Sequence, residues 1–311
     1  MYLFSSRQQF LILVHSKQYI YTSNLPCQRS SLPQFRASHS TSFKMTDKLI
    51  PSDPEKVMVT RKVTPEIITY SVPFLRFGKI QIGGRGTVVR TAAGDLAVFS
   101  PVALTEDVKK EVSSFGNVRW LIAPDMEHHI FLTPWSEAFP EAKVIGPAEL
   151  KEKREKQGYK TPFTYLWKAK ELPTVDADFD KEFDYEYVFA HPNKELVFNH
   201  KPTKTLIEAD LMFNLPATEQ MSKTNIPPNS GLLTKLFIAI NNPAGTAIWQ
   251  KRFLWYAMSA ADRPNFNKSI QKIDSWDFNR IIPCHGDVIE TDGKGIFRKV
   301  FEWHLGGKKS T

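Results

Sequence analysis

The chain has 311 residues, 41% hydrophobic and 24% charged, with 21 Pro and 15 Gly, a balance that excludes collagen-like, low-complexity and wholly disordered proteins. No run reaches the ~18 apolar residues that a membrane-spanning helix needs; Phe10–Val14 and Leu232–Ile240 are both too short. The net charge of +8 is concentrated at the start: Met1–Thr46 holds five basic residues (Arg7, Lys17, Arg29, Arg36, Lys44) and no acid, leaving 36 basic against 33 acidic residues elsewhere. The remainder is nearly balanced, which removes most of the support for nucleic-acid binding.

Residues 1–45 mix Ser, Gln, aromatic and basic residues, and resemble a mitochondrial presequence, which must be positive to be drawn inward and is later removed. The expectation is a disordered or targeting tail and mitochondrial localisation; the alternative is a cytoplasmic protein starting at Met45. Of the two cysteines, Cys27 lies in the tail and Cys284 in the body, so the body has no internal disulfide, which suits a reducing compartment. Residues 46–66, with alternating charges between Pro51 and Pro65, read as a linker.

From Ile67 the pattern changes to short apolar or alternating runs: Ile67–Val72, Phe74–Phe77, Lys79–Ile82, Gly86–Arg90 and Leu96–Phe99. Gly78, Gly83-Gly84 and Ala93-Gly94-Asp95 separate them, predicting a meandering antiparallel sheet. Thr105–Phe115 predicts a helix, with Thr105 as cap, acids in the first turn and Gly116 as the stop. Val118–Ala123 predicts a buried strand, Trp135–Phe139 a short helix, Lys143–Ile145 a strand and Pro147–Gln157 a surface helix. Strands follow at Phe183–Ala190, Glu195–Asn199 and Thr205–Ala209, the last two joined as a hairpin. Thr246–Ala261 and Asn265–Trp276 predict helices, Arg280–Pro283 a strand and Gly295–Leu305 a closing helix. Two sheets covered by helices within one domain over 67–305, followed by a tail over 306–311, accommodate this order.

The histidines of the body gather at strand ends. His128 and His129 follow one buried strand and His191 a second, Asp210 ends a third, and His285 ends a fourth. Nitrogen and oxygen ligands on one rigid rim are what a divalent ion requires. Adjacent strand residues point to opposite faces, so His128 and His129 cannot easily both be ligands unless the loop bends.

This layout resembles the metallo-β-lactamase-like superfamily, and within it a branch with members in fungi, plants and cyanobacteria. Trp120–Ala123 corresponds to the strand before that superfamily's His-x-His-x-Asp-His motif, and Pro124–His129 occupies the motif itself. His191 and Asp210 stand nineteen positions apart, and Ile281–Gly286 matches the final His-Gly step. The resemblance covers roughly residues 67–300. It implies an α/β (α+β) fold, a four-layer αββα sandwich, and a metal-dependent hydrolase acting on an ester, thioester, lactone or phosphodiester. The chain departs from the motif where Pro124 and Met126 replace the first two ligands, His128 replaces the Asp, and Ser100 replaces the acid after the early strand. An ordinary two-metal site therefore cannot be carried over. The resemblance implies one divalent metal, zinc ahead of iron, held by a set drawn from His128, His129, His191, Asp210 and His285. Asp125 and Glu127 are the candidate proton carriers, because the acid that normally serves the attacking water is lost. The expected partner is a small-molecule substrate or ligand, with no nucleic acid and no membrane span. The competing expectation is a non-catalytic member that binds a small molecule or a protein through the same cleft.

Other features read as structural. His200 is expected exposed at a hairpin tip, and His304 peripheral on the last helix. Trp249, Phe253 and Tyr256 recur at helical spacing; they could line an acyl or aromatic pocket, but core is the expectation. Lys151–Lys156 alternates in sign and marks a solvated helix face. The glycine-rich Phe77–Gly86 segment lacks a following helix N-terminus, so it is not expected to cradle phosphate.

Overall fold

The first strands already show the rule that builds the molecule. Along Ile67–Val72, Ile67 faces one core cluster while Ile68 and Tyr70 face another, since successive strand side chains alternate. The same division recurs at Val88/Val89, Val98/Phe99, Leu121/Ile122 and Val144/Ile145. A sheet apolar on both faces must be covered on both.

The computed structural model describes residues 53–171 and 174–309; the tail expected over 1–45 lies outside them. In chain order the strands are β1 (Val59–Thr64), β2 (Ile67–Val72), β3 (Leu75–Arg76), β4 (Ile80–Gln81), β5 (Gly84–Arg90), β6 (Asp95–Phe99), β7 (Asn117–Ile122), β8 (Lys143–Pro147) and β9 (Phe163–Trp167). They are followed by β10 (Phe183–Val188), β11 (Glu195–His200), β12 (Thr205–Ile207) and β13 (Arg280–Ile282). One sheet runs β1-β2-β5-β6-β7-β8-β9 and a second runs β10-β11-β12-β13; β3 and β4 pair as a small hairpin. The first sheet is antiparallel from β1 to β6 and parallel from β6 to β9.

Between the sheets lie Phe99, Trp120 and Trp167 from the first and Phe183, Phe198 and Ile282 from the second, with Phe179. The ring of Phe198 meets that of Phe99 edge-on at 5.0 Å, a favoured aromatic arrangement. The outer face of the first sheet is covered by the helices Glu106–Phe115, Leu132–Ala138 and Ala148–Lys156, through Val108, Val112, Trp135 and Leu150. The outer face of the second is covered by Arg263–Ser275 and Gly293–Val300, through Phe266, Ile270 and Phe297. The fold is a mixed α/β sandwich of four layers, as the sequence predicts.

Several expectations are corrected. Within the expected linker, Val59–Thr64 is strand β1, paired antiparallel with β2; half-buried and exposed residues alternate along Val59–Lys62, as on an edge strand, which only its partner's edge can reveal. The stripe expected to be core is not core: Trp249 and Tyr256 are exposed and Phe253 is half-buried, whereas the neighbouring Gln250 turns inward to donate to Phe213 O (2.8 Å). In the helix expected to be a solvated face, Arg154 is buried. Strand β9 and the helices Ala177–Glu182 and Leu232–Ile240 have no counterpart among the predicted elements.

Candidate metal centre

Strand direction decides which rim carries chemistry. β12 and β13 are parallel, and Ile207 stands opposite Ile282. Asp210 and His285 each follow by three residues, so they leave the sheet side by side. β10 ends at Val188, three residues before His191. From the other sheet, β7 ends at Ile122 and delivers Pro124–His129. This loop is fastened across the gap, where Pro124 O accepts from Leu196 N (2.6 Å) and Met126 N donates to Asn193 O (2.9 Å).

Asp125 is fully buried, and its Oδ1 accepts the backbone N–H of Glu127 and of His128, both at 2.7 Å. Its carboxylate also takes the Nδ1 proton of His128, at 2.8 and 2.9 Å, leaving His128 Nε2 free to face the interior. On the other sheet, His285 Nδ1 donates to Gly83 O (2.7 Å), which fixes the tautomer and turns its own Nε2 inward. The two Nε2 atoms then stand 3.1 Å apart, and Asp210 Oδ1 lies 3.2 Å from His285 Nε2 without a hydrogen bond. Asn193 Nδ2 holds the other Asp210 oxygen.

The loop that carries His285 is clamped. Arg85 Nη1 donates to Pro283 O and Gly286 O, both at 2.7 Å, and Gln220 bonds Cys284 O (2.8 Å) and Gly286 N (2.9 Å). Gly286 has φ 92°, and a Cβ there would lie 2.1 Å from Asn214 O, so no other residue fits without moving backbone.

His129 turns away from this cluster. Arg154 Nη1 donates to both its Nδ1 and its carbonyl at 2.9 Å. Burial, with the charges of Lys153 and Arg154, lowers its pKa to about 3. Neighbouring residues of a chain point apart, and here the burial of Asp125 on one side and Arg154 on the other selects which histidine faces inward. His191 is fully buried beside the cluster; its Nδ1 receives Asn193 N (3.3 Å) and lies 3.9 Å from Glu195 Oε2, while its Nε2 has no hydrogen-bond partner. Burial lowers its pKa against the opposing charges of Asp210 and Asp125. Glu127 is exposed and pairs with Lys153 at 3.0 Å.

Sequence reasoning passed over Cys284. Its buried Sγ bonds the backbone of Arg85, and it forms a group with His128 and His285 whose ligand atoms all lie within 4.8 Å of one another. Asp125, His128 and Asp210 form a second such group. Burial would raise the Cys284 pKa, but His128 and His285 bring it down to about 7. The tripeptide Cys284-His285-Gly286 carried the signal, but strand alternation argues against two adjacent ligands; β13 ends at Ile282, so both residues lie past the strand, where that rule no longer holds. The buried Glu195 accepts the backbone N–H of Ala209 and Asp210 at 2.8 and 3.0 Å. Burial, together with the Asp125 and Asp210 charges, holds its carboxyl well above the usual range.

Two other expectations are corrected. His200 is buried, not exposed; Nδ1 meets Thr203 Oγ1 (2.8 Å) and Nε2 meets Glu182 Oε2 (3.4 Å), at the rim opposite His191 because β10 and β11 are antiparallel. His304 is on the last helix as expected but enclosed, with Nε2 3.0 Å from Ser259 Oγ.

The donor set fits a cation. Donor atoms on a tetrahedral ion with bonds of about 2.0–2.1 Å stand about 3.3 Å apart, close to the 3.1 and 3.2 Å found here. Both imidazoles have spent their Nδ1 protons elsewhere, and lone pairs that face one another at this distance repel unless a proton or an ion lies between them. Burial opposes charge on His128, yet Asp125, Cys284 and Asp210 outweigh it and hold its pKa well above the ordinary range.

Solved structures with this architecture include a metallo-beta-lactamase from Pontibacter korlensis, at TM-score 0.51 and 10% identity, covering 79% of this chain and 98% of that one. VMB-1 aligns at TM-score 0.52 and 11% identity, over 81% and 98%. A mutant flavo di-iron protein from Thermotoga maritima aligns at 0.51 and 13%, over 80% of this chain and 62% of that one. The chain therefore has the metallo-β-lactamase-like fold. Residues 75–237 match the family described as Domain of unknown function (DUF4336), and the chain belongs to that family. No curated protein matches it in sequence.

Proposed function

We propose that the protein is a mononuclear metal-dependent hydrolase. The observation that carries the reading is the approach of both His128 Nε2 (3.1 Å) and Asp210 Oδ1 (3.2 Å) to His285 Nε2, with both Nδ1 protons committed elsewhere. His128, Asp210 and His285 would hold the ion, with Cys284 grouped with the two histidines and the buried His191, whose Nε2 has no hydrogen-bond partner, as a further donor. A divalent ion there, zinc ahead of iron, supplies Lewis acidity and brings water toward ionisation near neutral pH. The chain's own residues supply the rest. Asp125 holds the Nδ1 proton of His128 and so presents its Nε2 to the ion, Gly83 O does the same for His285, and Asn193 steadies Asp210. Asp125 is the buried carboxylate positioned to exchange a proton with His128, whereas Glu127 is engaged at the surface by Lys153. Ester, thioester, lactone and phosphodiester bonds all suit such a centre.

A second reading has its own support. A protonated His128 held between Asp125 and His285 satisfies the cluster without any ion. Pro124 and Met126 supply no ligand from the first loop, which favours a non-catalytic binder. Metal analysis of purified protein separates the two. Zinc or iron near one equivalent in the wild type, lost in Asp210→Asn and in His285→Ala, supports the hydrolase. A metal-free protein whose melting temperature ignores added zinc and iron supports the binder and ends the hydrolase reading.

A further inference from the structure

The helix Leu232–Ile240 is amphipathic the wrong way round. Its buried residue is Thr234, whose Oγ1 accepts from Gln81 N (3.2 Å), while Leu232, Leu233 and Leu236 are 83%, 51% and 57% exposed. Residues four apart share a helix face, so Leu232, Leu236 and the half-buried Ile240 form one outward stripe. The neighbouring helical segment, which packs against this one, exposes Trp249 (56%) and Tyr256 (58%) at seven-residue spacing. Arg252 lies over the Trp249 ring at 4.9 Å and Lys309 over Tyr256 at 5.7 Å. From Gln220 to Ala261 the sequence holds Lys223, Lys235, Lys251 and Arg252 and not one Asp or Glu. Exposed leucines, amphipathic aromatic rings and flanking cations without acids are the composition of a surface that lies in the interfacial zone of a bilayer. The acid that meets this segment, Glu302, is taken up by Lys251, while Lys235 and Arg252 stay exposed beside the apolar stripe.

We propose that this face docks on an anionic lipid surface. The leucines enter the acyl boundary, Trp249 and Tyr256 sit at headgroup depth, and Lys235, Arg252 and Lys309 meet lipid phosphates. On its inner side the same helix places Phe237 against Phe213, whose ring lies 4.7 Å from that of His285, so the docking face adjoins the candidate metal centre. The proposal does not depend on that centre holding an ion.

The test is flotation of the full chain with vesicles of phosphatidylcholine alone, or of equal parts phosphatidylcholine and phosphatidylglycerol. The wild type is expected to float with the mixed vesicles and much less with the neutral ones, and to be released by salt. Leu232→Ser/Leu236→Ser/Trp249→Ser is expected to reduce the bound fraction by roughly tenfold or more while keeping the wild-type melting temperature, since each side chain is exposed. Lys235→Glu/Arg252→Glu is expected to erase the preference for anionic vesicles. The proposal fails if the wild type floats with neither vesicle. It also fails if the triple variant floats as well as the wild type, because the basic first 46 residues would then account for binding. A wild-type dimer that the triple variant converts to monomer would overturn it too, by making a second copy the occupant.

Discussion

His304 shows how much a single side chain's surroundings decide. It lies among Trp255, Phe266 and Phe301, with Ser259 as its polar partner, and burial together with the Arg263 charge lowers its pKa from 6.5 to about 4. Between those values the unfolded chain takes up a proton that the folded chain refuses, so stability rises with pH across the window. It is fully present above about pH 6.5 and is lost as pH falls toward 4, by about 3 kcal/mol in all. Urea midpoints measured at several pH values should fall across this range in the wild type and fall less in His304→Gln. An identical slope in the variant would remove His304 from the account. Sequence placed this residue on the final helix and could go no further, since a lone histidine carries no mark of what encloses it. The His128-His129 pair has the same character. Alternation says the two diverge, but only Asp125 and Arg154 show which one faces the cluster.

At the level of elements, those built on local rules were legible. The helix Glu106–Phe115 begins at Thr105, whose side chain accepts from Val108 N as capping chemistry requires, and it ends where Gly116 turns extended. The strands with alternating or doubly buried patterns and glycine punctuation were likewise readable. The helix Leu232–Ile240 was not, because periodicity assumes that leucines point inward, and here a threonine does. This inversion has a measurable consequence. Leu232→Glu should change unfolding free energy by less than about 0.5 kcal/mol. Thr234→Val, which leaves the buried Gln81 N–H without its partner, should cost about 1–2 kcal/mol. Equal costs in urea unfolding would mean the leucines are packed after all. Strand β9 escaped notice for a related reason. Its residues are mostly half-buried, as at a sheet edge, so neither alternation nor a continuous apolar run marks it.

Across the whole molecule, the two sheets are joined at the rim by Arg85. It leaves β5 fully buried and crosses to the far loop, with Pro283 and Gly286 carbonyls at 2.7 Å and the Glu219 carboxylate at 3.4 Å. Removing it strands two buried carbonyls at the base of the His285 loop. Arg85→Met is expected to lower unfolding free energy by about 3 kcal/mol or more, read from urea denaturation. Arg85→Lys should recover little of this, since a single ammonium does not reproduce a planar fork reaching both carbonyls. A loss under about 1 kcal/mol in Arg85→Met would show that Gln220 alone secures the loop.

The sequence by itself determined where most strands and helices form, though not β1, β9 or the helices Ala177–Glu182 and Leu232–Ile240, and that His128, His129, His191, Asp210 and His285 fall at or just past strand ends. Burial alternation, capping and glycine turns act over a few residues, so their traces are local. Tertiary structure decided which atoms meet: His285 with Gly83 and His128, Cys284 with Arg85, His129 with Arg154, and leucines with solvent. These pairings join parts of the chain separated by up to about two hundred residues. Side-chain direction at such distances is set by the packing of one sheet on another, which no short stretch of sequence records.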